Sequence, residues 1–339
     1  MCILRCARRC ARPCSAVVCW IGCAGVVHFV VPVVSFLSWR LTARVRVYCA
    51  THQNGQCSYE NTYETCDPTD PSKPCSISGP FYTDVVSWGT QPVNVTFGGI
   101  SDQTPGFYQF ETIDGVCGMA SPVGSQSVFG TMVREGVLPA KEWSICLHEG
   151  STSNGTITLG GVDERLVAGD FMWTDDTGFQ FYSMDFTGMT VGGKQLTGLG
   201  STMVIDSGTN DLLISQEGFN SMQEIFTDLC STTKLKGVCG VSKTLFDGAC
   251  FSMTEEEMAM FPNFNLTMPG ITLDMSPKDY LLLGQPGVPT GERCLGVGVI
   301  GGGLQIIGDS VMQNYVVAFD LENTKIGWAP VNTKTCGSI

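Results

Sequence analysis

The stretch MVIDSGTNDLLIS, residues 203–215, places a carboxylate between two apolar runs. An Asp-Ser-Gly sequence between apolar segments ordinarily forms a turn, because Asp and Ser side chains bond nearby backbone and Gly accepts positive φ. A carboxyl group at the end of a strand can instead act as a general acid or base. Asp206 is therefore either a turn residue or a catalytic residue, and the rest of the chain decides between them.

Other catalytic and binding chemistries have little support in the sequence. The three histidines are scattered, and no Cys-x-x-Cys occurs after residue 59, so we expect no metal site. The run GVIGGGLQ, residues 298–305, lacks the Gly-Lys-Ser/Thr of a phosphate-binding loop and is typical of a hairpin turn. Ser207 has no histidine near it in sequence. We expect no cofactor.

Charge is unevenly distributed along the 339 residues, whose net charge is −13. Residues 1–59 contain seven arginines and no acidic residue, so the rest of the chain has 12 basic residues against 32 acidic ones. A body this acidic repels a phosphate backbone. The sequence therefore argues against a nucleic-acid partner.

Cysteines and glycosylation sequons point to an oxidising compartment. Of 17 cysteines, eight precede residue 59, and the nine that follow are well separated. Scattered cysteines of this kind are typical of disulfides in exported proteins. Asn94, Asn154 and Asn265 each begin an Asn-x-Thr sequon and are candidate glycosylation sites. We expect a secretory-pathway location: secreted, vacuolar or lysosome-like.

Residues 1–48 differ from the rest of the chain. A basic start precedes 23 uncharged residues, 15–37, which as a helix would extend about 34 Å and could cross a membrane. This pattern predicts a signal anchor. Regularly spaced cysteines in an Arg/Ala-rich context, with Pro32 inside the span, equally fit translated non-coding sequence. In both cases we expect the organised protein to begin near Cys49.

The remaining chain is predicted to be mostly β. Glycine is abundant, with 41 residues, and the apolar runs are short and interrupted by Gly, Asn, Asp and Pro. Residues 216–230 show the clearest helical periodicity. The predicted strands lie at 93–100, 106–113, 143–148, 155–162, 179–191, 265–275, 304–308 and 315–330.

Five motifs occur in an order that resembles the pepsin-like aspartic proteases. They are VIDSGT (204–209), IDGVCGMA (113–120), GTITLGGVDERLVAGDFMW (155–173), FYSMDFTGMTVGGKQL (181–196) and LQIIGDSVMQNYVVAFDLENTKIGWAP (304–330). The resemblance covers about residues 57–331. It implies an all-β, bilobal acid-protease fold with an incomplete N-terminal lobe, 49–172, and a complete C-terminal lobe, 173–339.

The resemblance also assigns roles to individual residues. Asp206 would be one of two catalytic aspartates, Ser207 and Gly208 would let the loop turn tightly, and Thr209 would tie the two active-site loops together through its hydroxyl. The remaining assignments are loop support by Ile306, Ile307 and Gly308, a disulfide between Cys250 and Cys294, and a flap tyrosine at Tyr63, for which an ordinary hairpin position is the alternative.

The first aspartate of such a pair has no counterpart in this sequence. Asp206 precedes Gly308 by 102 residues, and the same spacing before Gly118 leads to position 16. No carboxylate lies within about twenty residues of that position, and none occurs before Glu60. The leading hypothesis is thus a monomeric aspartic endopeptidase, acting on peptides or proteins, in a chain that lacks part of its N-terminal lobe.

Two other hypotheses remain open. The first is a pseudoprotease that binds peptides without cleaving them. The second is a homodimer in which two copies of the Asp206 loop meet; the N-terminal-lobe segments already in the chain argue against it, since they would occupy the partner's place.

Overall fold

The structure is a computed structural model. It describes residues 2–5, 20–21, 27–32, 52–53, 56–63, 75–88, 91–103, 115–119, 127–147, 154–178, 181–283, 289–301 and 303–337. The chain divides into two compact units. The first comprises Met1–Ser144, Thr152–Asp163 and Gly337–Ile339, and the second comprises Ile145–Ser151 and Glu164–Cys336.

Strands dominate the described chain up to residue 160. They are β1 (Cys2–Arg5), β2 (Trp20–Ile21), β3 (Val27–Pro32), β4 (His52–Gln53), β5 (Gln56–Tyr63), β6 (Cys75–Trp88), β7 (Gln91–Ile100), β8 (Asp102–Gln103), β9 (Gly115–Cys117), β10 (Glu142–Leu147) and β11 (Asn154–Leu159). Helix α1 (Val128–Arg134) begins after Ser127, whose hydroxyl accepts a hydrogen bond from the Gly130 amide at 3.0 Å.

The first unit is built around a sheet in the order β4-β5-β6-β7-β1-β9, with β8 paired to β6. Strands β6 and β7 form a long hairpin closed at Trp88 and Gln91. In β7 the side chains of Val93, Val95 and Phe97 are buried while Asn94 is exposed. This alternation is what a half-buried strand requires, and it confirms the strand predicted at 93–100.

The apolar segment 15–37 contains two described pieces, and both are strands. β3 pairs antiparallel with β11, from Val27 opposite Leu159 to Pro32 opposite Asn154, and β2 pairs with β3. These pieces are therefore not helical as the anchor prediction requires, and the rest of the segment lies outside the described residues. No helix in the described ranges is long and apolar enough to span a membrane.

The second unit contributes the remaining elements. Its strands are β12 (Met172–Asp175), β13 (Ser183–Asp185), β14 (Gly188–Val191), β15 (Lys194–Gln195), β16 (Thr202–Ile205), β17 (Leu212–Ile214), β18 (Phe251–Ser252), β19 (Phe264–Met268), β20 (Ile271–Met275), β21 (Leu281–Leu283), β22 (Glu292–Leu295), β23 (Val297–Val299), β24 (Gln305–Ile307), β25 (Tyr315–Asp320) and β26 (Lys325–Pro330). Its helices are α2 (Gln216–Leu229), α3 (Glu255–Met258), α4 (Pro277–Tyr280) and α5 (Asp309–Met312), with 3-10 turns at Glu164–Leu166 and Leu245–Asp247.

Within this unit the strands pair as β13-β16-β24-β17-β23, β15-β14-β19-β20, β18-β22-β21 and β12-β26-β25. The alternation in β20 buries Ile271, Leu273 and Met275. Because the intervening Thr272 and Asp274 are exposed, β20 turns one side to the core and the other to solvent. The strands predicted at 265–275, 304–308 and 315–330 are all present.

Helix α2 confirms the predicted helical periodicity. Ser215 caps it by accepting a hydrogen bond from the Gly218 amide at 3.0 Å. Met222, Ile225 and Phe226 form its buried face. The Phe226 ring packs edge-on against Phe264, with ring centroids 6.1 Å apart. Burial of this apolar stripe holds the helix against the hairpin β19–β20.

Three disulfides lie in the second unit: Cys146–Cys336, Cys230–Cys239 and Cys250–Cys294. The last confirms the pairing implied by the family resemblance. Sequence alone left the other two open, since the number of possible connectivities rises steeply with the number of cysteines.

Candidate active site

The site lies at one edge of a sheet, where two neighbouring strands end and a third begins. β16 runs parallel to β24, and β17 runs antiparallel to β24. The C-terminal ends of β16 and β24 and the N-terminal end of β17 consequently lie at the same edge. Asp206 follows β16, Gly308 follows β24, and Asp211 precedes β17.

The two faces of these strands differ in burial. The core face carries the buried side chains of Met203, Ile205, Leu212, Ile214 and Ile307. On the opposite face Ile306 and Leu213 are only half-buried, while Val204 is buried. Since side chains alternate along a strand, Asp206, two residues after Val204, and Asp211, two residues before Leu213, are placed on this more open face.

Asp206 is exposed and both its carboxylate oxygens accept a hydrogen bond. Oδ1 accepts from the Gly208 amide at 2.9 Å, and Oδ2 accepts from the Thr209 hydroxyl at 2.7 Å. The Asp206 amide donates to the Ile307 carbonyl at 3.0 Å, which continues the ladder between β16 and β24 beyond the strands. These bonds fix the plane of the carboxylate, so the side chain is held ready for acid–base work.

Gly308 packs directly beneath the loop. A Cβ at this position would lie 2.3 Å from the Thr209 carbonyl oxygen and 2.4 Å from that of Asp211. The next two residues bind the same loop through their amides, Asp309 to the Thr209 carbonyl at 2.8 Å and Ser310 to the Asn210 carbonyl at 2.9 Å. The segment that begins at Gly308 thus contacts the Asp206 loop.

The hydroxyls of Thr209 and Ser207 have different surroundings. The Thr209 hydroxyl donates to Asp206 in its own loop, and its tie to a second active-site loop stays a prediction. Ser207 is exposed, and its hydroxyl makes no hydrogen bond within the described ranges.

Asp309, which the sequence analysis did not single out, lies next to Asp206. Its Oδ1 atom is buried and has no hydrogen-bond partner among the described residues. Burial, together with the neighbouring charge of Asp206, raises the pKa of Asp309 to about 7. Its position immediately after Gly308 in the IIGDS motif was the signal that could have identified it.

Asp211 is a second carboxyl that sequence reasoning missed. Burial raises its pKa to about 6. The side chain is half-buried at the start of β17, five residues after Asp206. Three carboxyl groups, those of Asp206, Asp211 and Asp309, therefore lie at the same edge of the sheet. The surroundings of Asp211 and Asp309 favour the protonated form.

The other predicted site residues lie elsewhere in the fold. Tyr63 is the last residue of β5 and pairs with Cys75 of β6, while the segment between them lies outside the described residues. Asn94 is exposed on β7, and Asn154 is the first residue of β11. The Asn265 amide is half-buried and donates a hydrogen bond to Asp274 on the adjacent strand.

Comparison with known proteins identifies the architecture. The family model of eukaryotic aspartyl proteases matches residues 53–331. Pepsin A of Canis lupus familiaris is 24% identical over 299 residues, which is 84% of this chain and 73% of that protein. Pepsin A of Sus scrofa is 25% identical over 256 residues, 74% of this chain and 62% of that protein. Gastricsin of Mus musculus is 24% identical over 295 residues, 83% and 71% of the two chains.

The fold is the all-β pepsin-like fold. The chain belongs to the eukaryotic aspartyl protease family. It spans 62% of the length of the pig pepsin and 73% of that of the dog pepsin.

Proposed function

We propose that the protein is an aspartic endopeptidase and that Asp206 is one of its two catalytic carboxyls. The observation that carries the proposal is the Asp206 loop, in which an exposed carboxylate is fixed by the Gly208 amide and the Thr209 hydroxyl. An exposed, oriented carboxylate can accept a proton from a water molecule. The similarity to the pepsins makes a peptide carbonyl the proposed target of that water.

The chemistry needs two carboxyl groups that share one proton, because like charges about 3 Å apart cannot both ionise. The two carboxyl groups then have different roles in proton transfer. The ionised carboxylate takes a proton from water as the oxygen attacks the peptide carbonyl, and the protonated carboxyl polarises that carbonyl. A proton from the pair finally passes to the leaving amine.

The second carboxyl is proposed to come from a segment that these 339 residues do not contain. The support is the absence of any Asp or Glu before Glu60, where the spacing of the C-terminal motifs would place it. The same absence favours one alternative, a pseudoprotease that binds peptides without cleaving them. The three disulfides support a location in the secretory pathway for either function.

The two functions are separated by assaying two forms of the protein on a denatured protein substrate between about pH 2 and 6. One form is the present chain, and the other is extended upstream by a segment carrying Asp-Thr-Gly. We expect no hydrolysis by the first and cleavage inhibited by a statine-type compound from the second. Inhibitor-sensitive cleavage by the present chain would revive the homodimer, and no cleavage by either form would favour the pseudoprotease.

A further inference from the structure

We propose that Asp211 makes the site selective for a peptide with a lysine or arginine side chain close to Asp206. The inference rests on the proposed function, since it needs a peptide to lie across the Asp206 loop. It adds a residue that determines which peptide binds.

The sheet places Asp211 at the same edge as Asp206, with β24 between their two strands, β17 and β16. The loop between them is compact because the Thr209 amide donates to the Asp206 carbonyl at 3.1 Å. We expect a peptide laid along this edge, across the Asp206 loop, to meet the side chain at 211 as well.

Asp211 itself has no partner in the described part of the chain. Its carboxyl forms no hydrogen bond and no ion pair there, although it is half-buried. Burying a carboxyl group without a partner costs free energy, which a bound group with hydrogen-bond donors offsets. A lysine ammonium or an arginine guanidinium supplies such donors together with a complementary charge.

The surface next to Asp211 suits the aliphatic stem of a basic side chain. Leu213 and Ile306 are half-buried on the same face of the sheet, and they are cross-strand neighbours. Leu213 lies over Gly298, where a Cβ would be 2.8 Å from the leucine Cδ2 atom. Lysine and arginine bury their methylene groups on apolar surface while the charged end reaches a polar partner.

No described residue of the adjoining strands neutralises Asp211. β16, β17, β23 and β24 contain no charged residue, and α5 contributes only Asp309. These strands and α5 contribute Asp206, Asp211 and Asp309 to this edge. The neighbouring helix α4 adds Lys278 and Asp279, since the Leu212 amide donates to the Gly296 carbonyl and the Gly296 amide donates to the Tyr280 carbonyl. Asp176 lies at the start of β13, where it accepts a hydrogen bond from the Ser183 amide. Because burial raises the pKa of Asp211 to about 6, its negative charge, and with it the preference for a basic group, should increase as the pH rises from about 4.5 to 7.

The test is binding of fluorescent statine-containing peptides to the chain extended upstream by the Asp-Thr-Gly segment, measured by anisotropy at pH 4.5 and pH 7. Lysine, norleucine or glutamate is placed in turn at each of the three positions on either side of the statine. At one position we expect lysine to bind about tenfold more tightly than norleucine at pH 7, as for a charge-assisted hydrogen bond. The ratio should shrink at pH 4.5, and glutamate should bind most weakly.

The matched variants are Asp211→Asn and Asp185→Asn. Asp185 is exposed, and its pairing with Thr202 places it at the opposite edge of the same sheet. Asp211→Asn should abolish the lysine preference over norleucine, and Asp185→Asn should leave that preference unchanged. If norleucine and lysine peptides bind equally well, or if the preference survives Asp211→Asn, the inference is wrong while the proposed peptide-binding function stands. Failure of every peptide to bind would overturn both.

Discussion

At the scale of single residues, the site combines a carboxylate fixed by hydrogen bonds with two carboxyl groups whose pKa values are raised by burial. Asp206 is exposed and has a donor on each oxygen, whereas Asp309 and Asp211 have raised pKa values. Burial of a carboxyl group is decided by tertiary packing. The sequence therefore indicated Asp206 through its motif but not the other two.

Asp309 should make stability depend on pH. Its pKa is about 7 in the folded protein against 3.8 for the unperturbed group. The folded state thus holds this proton more tightly, and the contribution to stability is present below about pH 4 and lost as the pH rises to about 7. We expect the free energy of unfolding to fall by on the order of 3 kcal/mol over that window from this group.

Urea denaturation at pH 5 and pH 7.5 checks this prediction. Asp309→Asn should flatten the decline between the two pH values, because asparagine resembles the protonated acid and cannot ionise. Asp185→Asn, which changes an exposed carboxylate, should leave the decline as it is. If the free energy of unfolding declined equally in the native protein and in Asp309→Asn, ionisation of Asp309 would not destabilise the fold, and the prediction would be wrong.

At the scale of elements, much of the second unit was predictable. The strand-like runs predicted at 265–275 and 315–330 correspond to the hairpins β19–β20 and β25–β26, and the 3.6-residue pattern identified α2. These signals are local, because they reflect which side of one element is buried. Strand pairing is not local: the parallel pair β16–β24 joins residues about a hundred positions apart. This pairing was not predicted from the sequence; the family resemblance implied only that 306–308 support the Asp206 loop.

A substitution at Gly308 tests the contact between the end of β24 and the Asp206 loop. Gly308→Ala would push a methyl group against the Thr209 and Asp211 carbonyl oxygens, so we expect destabilisation of about 2–3 kcal/mol. Gly301→Ala is the matched control, because a Cβ there meets nothing within 4 Å, and it should change stability by less than about 0.5 kcal/mol. Equal urea midpoints for the two variants would contradict the packing described for the loop.

At the scale of the whole molecule, covalent cross-links reinforce the β framework. The bond Cys146–Cys336 joins residues 190 positions apart, Cys250–Cys294 spans 44, and Cys230–Cys239 spans 9. Scattered cysteines predicted disulfides in general. Which cysteines pair depends on distances in the folded chain, and only Cys250–Cys294 could be anticipated, through the resemblance.

The three bonds should stabilise the protein in the order of the loops they close. The chain-entropy model gives about 5 kcal/mol for Cys146–Cys336, about 4 for Cys250–Cys294 and about 3 for Cys230–Cys239. Replacing each pair by alanines should lower the melting temperature in that same order. A variant without Cys230–Cys239 that melts below the one without Cys146–Cys336 would contradict the prediction.

The central claim is that Asp206 performs acid proteolysis, and Asp206→Asn in the chain extended with an Asp-Thr-Gly segment tests it most directly. An amide cannot take the proton from water, and it removes the proton-sharing pair. We expect hydrolysis of a denatured protein substrate at acidic pH to fall to background, while circular dichroism and disulfide mapping match those of the unmutated protein and Asp185→Asn stays active. Substantial turnover by Asp206→Asn would place the chemistry on other residues and contradict this account.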